Sequence, residues 1–393
     1  MKNGLVIVDT HPVQYRAPLY RMLQQEFKIP VTVIYGSDLS IRGGYDSEFK
    51  KNFSWDTDLL SGYKAIFLPE SSRKIQDISE ISTKGLSDIL KKLDPDAVLL
   101  IGYSTWFHQT AFWQSLRMGI SVLFRGEATD HAILRSPVKA FFRDFFLKQF
   151  YSRCARILYA GQRYRDHFKR FHVPDRKLIF SPYCVDTTLF HLDSSSRKKF
   201  REQTRTDQCI GEKEIAILFS GKLSRRKGPD LLIEAIRRLP DSIQSRTRIL
   251  FMGDGELKNE LRQLAEKSPT VQADFVGFKN QTEISAYYCA ADLLVLPSRH
   301  GETWGLVVNE ALHHGVPCIV SDGVGCAPDL IESGVTGEQF KNGSIDDLTR
   351  AIIRAIHLIQ NPGIAEQCHS RVESYAMPRA AEGIARAYRE VVL

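Results

Sequence analysis

Two glutamates, Glu302 and Glu310, stand eight residues apart in the run PSRHGETWGLVVNEALHHGVP, residues 297–317. Between them Gly305 precedes apolar residues at 306, 307, 308, 311 and 312, which reads as a helix that Gly315 closes. The first turn of a helix carries unpaired N–H groups and roughly half a positive charge, so Gly305, Leu306 and Val307 are placed to bind a phosphate. Carboxylates on either side of such an anion site could grip hydroxyl groups at both ends of a molecule whose middle is phosphate. A nucleotide sugar has that layout: ribose, diphosphate, hexose. Taken alone, two glutamates at this spacing are as readily a solvated loop residue and an ordinary helix residue.

A basic loop lies upstream. Ser220-Gly-Lys-Leu-Ser-Arg-Arg-Lys-Gly228 precedes Pro229 at a helix start, a form suited to a diphosphate, with Gly221 for the turn and Lys222 and Lys227 for charge. Basic loops are common, and the bare pattern is weak. Arg225 and Arg226 read as surface residues.

These loops need strands behind them. Asp292-Leu-Leu-Val-Leu-Pro297 is an apolar run ended by proline, as in a buried parallel strand, and Ile215 to Phe219 plays that part for the lysine loop. Arg248 to Met252 before Gly253, and Ala273 to Phe278, repeat the arrangement, so this half reads as a doubly wound unit. In the first half, Leu5 to Val8 runs into Asp9-Thr-His-Pro and sets His11 at the carboxyl edge of another such sheet, where α/β folds place ligands. Ser121 to Phe124 leads likewise to Arg125-Gly-Glu127, where Glu127 either binds hydroxyls or pairs with Arg125. Asp94-Pro-Asp96 opens a strand rather than following one, so it reads as a turn and not as a metal-binding pair.

The segment SRHGETWGLVVNEALHHGVPCIVSD closely resembles the E-x7-E segment of the retaining glycosyltransferases of family 4, and SGKLSRRKG resembles that family's G-R-x4-K-G loop. The resemblance implies the GT-B fold, two Rossmann-like doubly wound domains facing a central cleft. It also implies that Glu302 contacts the transferred sugar, Glu310 the ribose, and Gly305, Leu306 and Val307 the diphosphate that Lys222 and Lys227 neutralise. Phe278 then lies beside the nucleobase, as a stacking ring or as core. The entry HPVQYRAPLYRML resembles a subgroup of the family, with His11 contacting donor phosphate or acceptor, or capping a helix. Lysine at 222 departs from the commoner arginine, and Glu127 stands near where many members carry a histidine.

A chain of 393 residues is too long for one core. The expected division is residues 1–185 as an acceptor-side domain, 186–212 as a linker, 213–375 as the nucleotide-sugar domain, and 376–393 as a helix crossing back. Seven scattered cysteines without a C-x-x-C pair suggest a reducing compartment and no zinc site. The apolar run at the N-terminus is shorter than a signal-peptide core, and no run reaches the length of a membrane span, so a cytoplasmic protein is expected. The net charge of +7 is concentrated in residues 135–172, where ten Lys or Arg face only Asp144 and Asp166. Aromatics interleave these bases, so the stretch either rests on the inner face of an anionic membrane or is core with a solvated basic face. No nucleic-acid motif accompanies it.

The function expected is a retaining, metal-independent hexosyltransferase without a cofactor. It would take a UDP- or GDP-linked sugar as donor and a glycan or lipid-linked hydroxyl as acceptor, in surface polysaccharide or glycoconjugate synthesis. A sugar-nucleotide epimerase of GT-B type and a non-catalytic nucleotide-sugar-binding protein are the alternatives.

Overall fold

The computed structural model describes residues 3–392 except 47–50, 54, 74, 76, 128, 129, 131–135, 191, 192 and 269. Apolar runs a few residues long, buried on both faces, make two parallel sheets. The first half contributes β1 (Leu5–Asp9), β2 (Val31–Tyr35), β3 (Gly44–Asp46), β4 (Lys51–Phe53), β5 (Lys64–Phe67), β6 (Ala97–Ile101), β7 (Ser121–Arg125), β8 (Arg156–Tyr159) and β9 (Leu178–Phe180). The second contributes β10 (Ile215–Ser220), β11 (Thr247–Met252), β12 (Gln272–Gly277), β13 (Leu293–Leu296), β14 (Cys318–Ser321) and β15 (Gly337–Phe340). Their orders are β5-β2-β1-β6-β7-β8-β9 and β12-β11-β10-β13-β14-β15, with β3 and β4 a separate antiparallel pair. Both orders reverse direction once, beside β1 and beside β10. At such a reversal the helices leave to opposite faces and a crevice opens at the carboxyl edge.

Alternate residues of β1 supply two cores. Val6 and Val8 pack toward Val98, Leu100 and Phe107, while Leu5 and Ile7 face Leu19, Leu23 and the C-terminal helix Met377–Val392. That helix presents Ala380, Ala381 and Ala385, small enough to lie close on the first sheet. Asp96 fastens the same region, its carboxylate accepting from Gly4 N–H at 2.8 Å and from the Tyr388 hydroxyl at 2.8 Å.

The polar stretch read as a linker carries a helix, Ser194–Asp207, capped by Asp193, which accepts from Ser196 N–H at 2.9 Å. Arg201 and Arg205 on it reach Asp292 at 2.6 and 3.2 Å, just ahead of β13, so the helix sits on the second lobe. Two of its charged residues thus pair with that lobe.

The basic aromatic stretch divides its residues between core and surface; its first residue, Arg135, lies outside the described set. Phe150, Tyr151, Tyr164, Phe168 and Phe171 are buried, whereas Phe141, Phe142 and Phe145 point outward. Arg143 and Arg170 are taken up by Asp130 and Asp144.

Candidate functional site

Strands β10 and β13 pair directly, so the loops that follow them, 220–228 and 297–305, emerge side by side at the reversal of the second sheet. Backbone bonding locks them together, with Arg299 N–H donating to Arg226 C=O at 2.8 Å. Gly228 has a φ of +69°, and a Cβ there would stand 2.5 Å from the Pro297 carbonyl oxygen. Only glycine lets the two loops approach this closely.

The approach sets Lys227 against Glu302, and their side chains form a buried ion pair. Glu302 is 8% exposed, accepts from the Ser298 hydroxyl at 2.9 Å, and has the Arg226 guanidinium at 3.9 Å. Burial works to raise the Glu302 carboxyl, but Lys227, Arg226 and Ser298 together outweigh it and hold the group below its ordinary value. Glu302 is therefore ionised. Arg226, which the sequence assigns to the surface, belongs to this cluster; Arg225 is the exposed one and pairs with Glu260 at 3.3 Å.

Glu310 behaves differently. It lies in the second turn of the helix Leu306–His313 and accepts from the Tyr288 hydroxyl at 2.6 Å. Tyr288 also meets Ser220, the last residue of β10. Part of Glu310 remains open, yet burial of its carboxyl pushes it up to about 7, partly offset by Tyr288. The two carboxylates are thus fastened to opposite ends of one loop, Glu310 to its start through Tyr288 and Glu302 to its end through Lys227.

Gly305 is the N-cap of that helix at φ +101°, and a Cβ there would meet Leu296 at 2.9 Å and Val324 at 3.1 Å. Its glycine is required by backbone shape and by the core beneath, not by room for a ligand. Leu306 and Val307 occupy the first turn, where N–H groups have no partner within the helix. Gly221 follows β10 with its N–H bonded to Met252 C=O at 2.9 Å, and Lys222 comes next, partly exposed. Phe278 lies one residue past β12, partly exposed at the same edge.

The first-lobe candidates gather elsewhere. His11 and Glu127 both line a cavity of about 370 Å³ at the carboxyl edge of the first sheet, with Tyr103, His108, Arg125 and Tyr183. His11 shares a hydrogen bond with Thr10 at 3.0 Å instead of capping a helix, and burial, aided by Arg16, pushes it down to about 4, so it is neutral at physiological pH. Arg125 does not pair with Glu127 among the described residues: it donates to the Pro182 carbonyl at 2.8 Å and lies over the Tyr183 ring. Glu127 is exposed. His108, overlooked in the sequence, is buried with Nδ1 bonded to Thr105 and Nε2 without a hydrogen-bond partner among the described residues.

Trp304 joins the two groups. Its ring packs on Tyr183 and Tyr164 of the first lobe, with centroids at 5.6 and 6.3 Å, and its Nε1 donates to Asn309 at 2.8 Å. Asn309 in turn donates to the Tyr183 carbonyl at 3.2 Å, and the Tyr164 hydroxyl donates to Thr303 C=O at 3.0 Å. The loop bearing Glu302 is therefore held by both lobes. Sequence reading had no signal for this, because Tyr164, Tyr183 and Trp304 lie far apart in the chain.

Residues 200–370 match the family model described as glycosyl transferases group 1. The likeness to that family is confined to this stretch of the chain. The matched stretch contains Lys222, Lys227, Phe278, Glu302 and Glu310; His11 and Glu127 fall outside it. The chain is similar to the sulfoquinovosyl transferase SQD2 of Arabidopsis thaliana, 34% identical over 172 residues, which is 42% of this chain and 32% of that protein. It spans about a third to two fifths of the length of the curated relatives it matches. Among solved structures it resembles HepE of Anabaena in complex with UDP, at 16% identity and a TM-score of 0.72 over 99% of this chain and all of that one. It also resembles sucrose-phosphate synthase of Thermosynechococcus elongatus, at 17% identity and a TM-score of 0.74 over 98% of each chain. At these identities the likeness is one of fold, and the fold is GT-B.

Proposed function

We propose that the chain is a retaining, metal-independent glycosyltransferase that moves a hexose from a uridine or guanosine diphosphate sugar to a hydroxyl of a glycan or lipid-linked acceptor. The observation that carries the reading is the pair of carboxylates tied to the two ends of one lysine-bearing loop at the reversal of a doubly wound sheet. HepE was solved with UDP, which favours uridine diphosphate as the leaving group.

The difficult step is departure of the β-phosphate oxygen, whose negative charge grows as the glycosidic bond breaks. Lys222, Lys227 and the helix start at Gly305 supply fixed positive charge there, with each donor of this kind contributing about 3–4 kcal/mol. The ammonium of Lys227 has three N–H bonds, so it can hold Glu302 and still donate to phosphate. These cations take the place a metal would fill. Glu302, neutralised by Lys227 and Arg226, orients the sugar and makes a poor nucleophile, so retention is assigned to same-face attack assisted by the leaving phosphate. Glu310 accepts the ribose hydroxyls. His11 and Glu127 bind the acceptor in the first-lobe cavity.

The test is incubation with a panel of nucleotide sugars, measuring free nucleoside diphosphate with and without candidate acceptors. Transfer predicts release that rises with acceptor and is lost in Glu310→Ala. Conversion of the sugar without acceptor would identify an epimerase, and binding without release would identify a sensor.

A further inference from the structure

The helix Pro137–Arg153 is apolar on two faces. Leu147, Phe150 and Tyr151 face the core, while Val138, Phe141, Phe142 and Phe145 are 67, 70, 67 and 64% exposed. The outward residues follow the spacing i, i+3, i+4, i+7, which makes one continuous stripe over two turns. A stripe of three bare phenylalanines is not a solvated face. Lys139 and Lys148, both exposed, flank it on either side. The helix's acidic residue, Asp144, is turned away and neutralised by Arg170 at 2.6 Å and Arg143 at 3.2 Å.

The stripe adjoins the first-lobe cavity. Tyr103 lines that cavity and packs on Phe146 of this helix, with Arg143 3.5 Å from its hydroxyl. Two further exposed apolar residues stand at the cavity: Ile78, which lines it, and Trp106, next in the chain to the lining residue Thr105.

We propose that this face docks on a bilayer of anionic lipid, phenylalanines entering the acyl boundary and the two lysines meeting headgroups. Aromatics flanked by lysines, with the carboxylate withdrawn, fit a negative interface better than a neutral protein groove. Resting on the acceptor reading of the cavity, the proposal makes the acceptor lipid-borne, presented from the membrane to His11 and Glu127.

The test is co-sedimentation of the full chain with vesicles of phosphatidylcholine alone or mixed with phosphatidylglycerol. Binding is expected to the mixed vesicles and not to the neutral ones. Phe141→Ser, Phe142→Ser and Phe145→Ser combined should weaken it at least about tenfold. Lys139→Gln with Lys148→Gln should weaken it roughly twenty-five-fold, at about fivefold per lysine. UDP affinity, measured by calorimetry, should stay at the wild-type value in both variants. Wild-type protein that ignores anionic vesicles, or a triple serine variant that binds them equally, overturns the proposal. So does a wild-type dimer that the serine variant turns into a monomer, since the stripe then seats a second copy. Vesicle binding by a protein that takes up no nucleotide or nucleotide sugar would refute the transferase reading and leave the docking face standing.

Discussion

Lys227 and Glu302 are each other's main electrostatic partner, and neither reaches bulk water freely. Removing one strands the other, because a buried charge that loses its counter-ion keeps its desolvation cost. Lys227→Ala should therefore cost about 3 kcal/mol of stability as well as nucleotide binding. Glu302→Gln, which keeps the shape and frees the lysine, should leave UDP affinity near wild type and depress transfer. Thermal unfolding and calorimetry on the two variants separate these effects, and an equal loss of affinity in both would contradict the assignment.

Glu310 gives a pH signature. Burial holds its folded value at about 7, above the ordinary 4.5, so its contribution to stability is full below 4.5 and fades as pH rises through 7. Hydroxyl binding needs the ionised form and runs the other way. Affinity for UDP should rise severalfold between about pH 6 and 8 in the wild type and stay flat in Glu310→Gln. A wild-type affinity independent of pH would exclude the ribose role.

At the scale of elements, the site depends on two loops that meet because β10 and β13 are neighbours. Gly228 is the contact point. Gly228→Ala should cost about 1–3 kcal/mol of stability from its left-handed backbone and would push Lys227 off Glu302, so UDP affinity should fall with the melting temperature. An alanine variant with wild-type UDP affinity would show that close approach of the loops is dispensable. The apolar runs that make β1, β6, β10 and β13 were legible in the sequence, as was the helix after Gly305, since burial on both faces and an N-terminal glycine leave a local imprint. The helix Ser194–Asp207 was not, because what stabilises it is a distant aspartate, Asp292.

At the scale of the molecule, Asn309 bonds to groups of both lobes. Asn309→Ala would leave the Trp304 indole N–H and the Tyr183 carbonyl without their partner inside the interface, costing about 2–3 kcal/mol. The expected outcome is a lowered melting temperature and a faster loss of transfer than of UDP binding. Unchanged thermal stability would argue against the bridge.

Types and spacing along the chain were enough to set out alternating strands and helices and to place Lys222, Lys227 and Glu302 on loops that follow apolar strands, with Glu310 on the helix after one of them; marking the four as a group took the resemblance to family 4. What required the folded molecule was which charge meets which. Lys227 finds Glu302 and Arg226 joins them because strands distant in sequence are adjacent in space, and Phe141 differs from Phe150 only in the side of the helix that the rest of the protein covers.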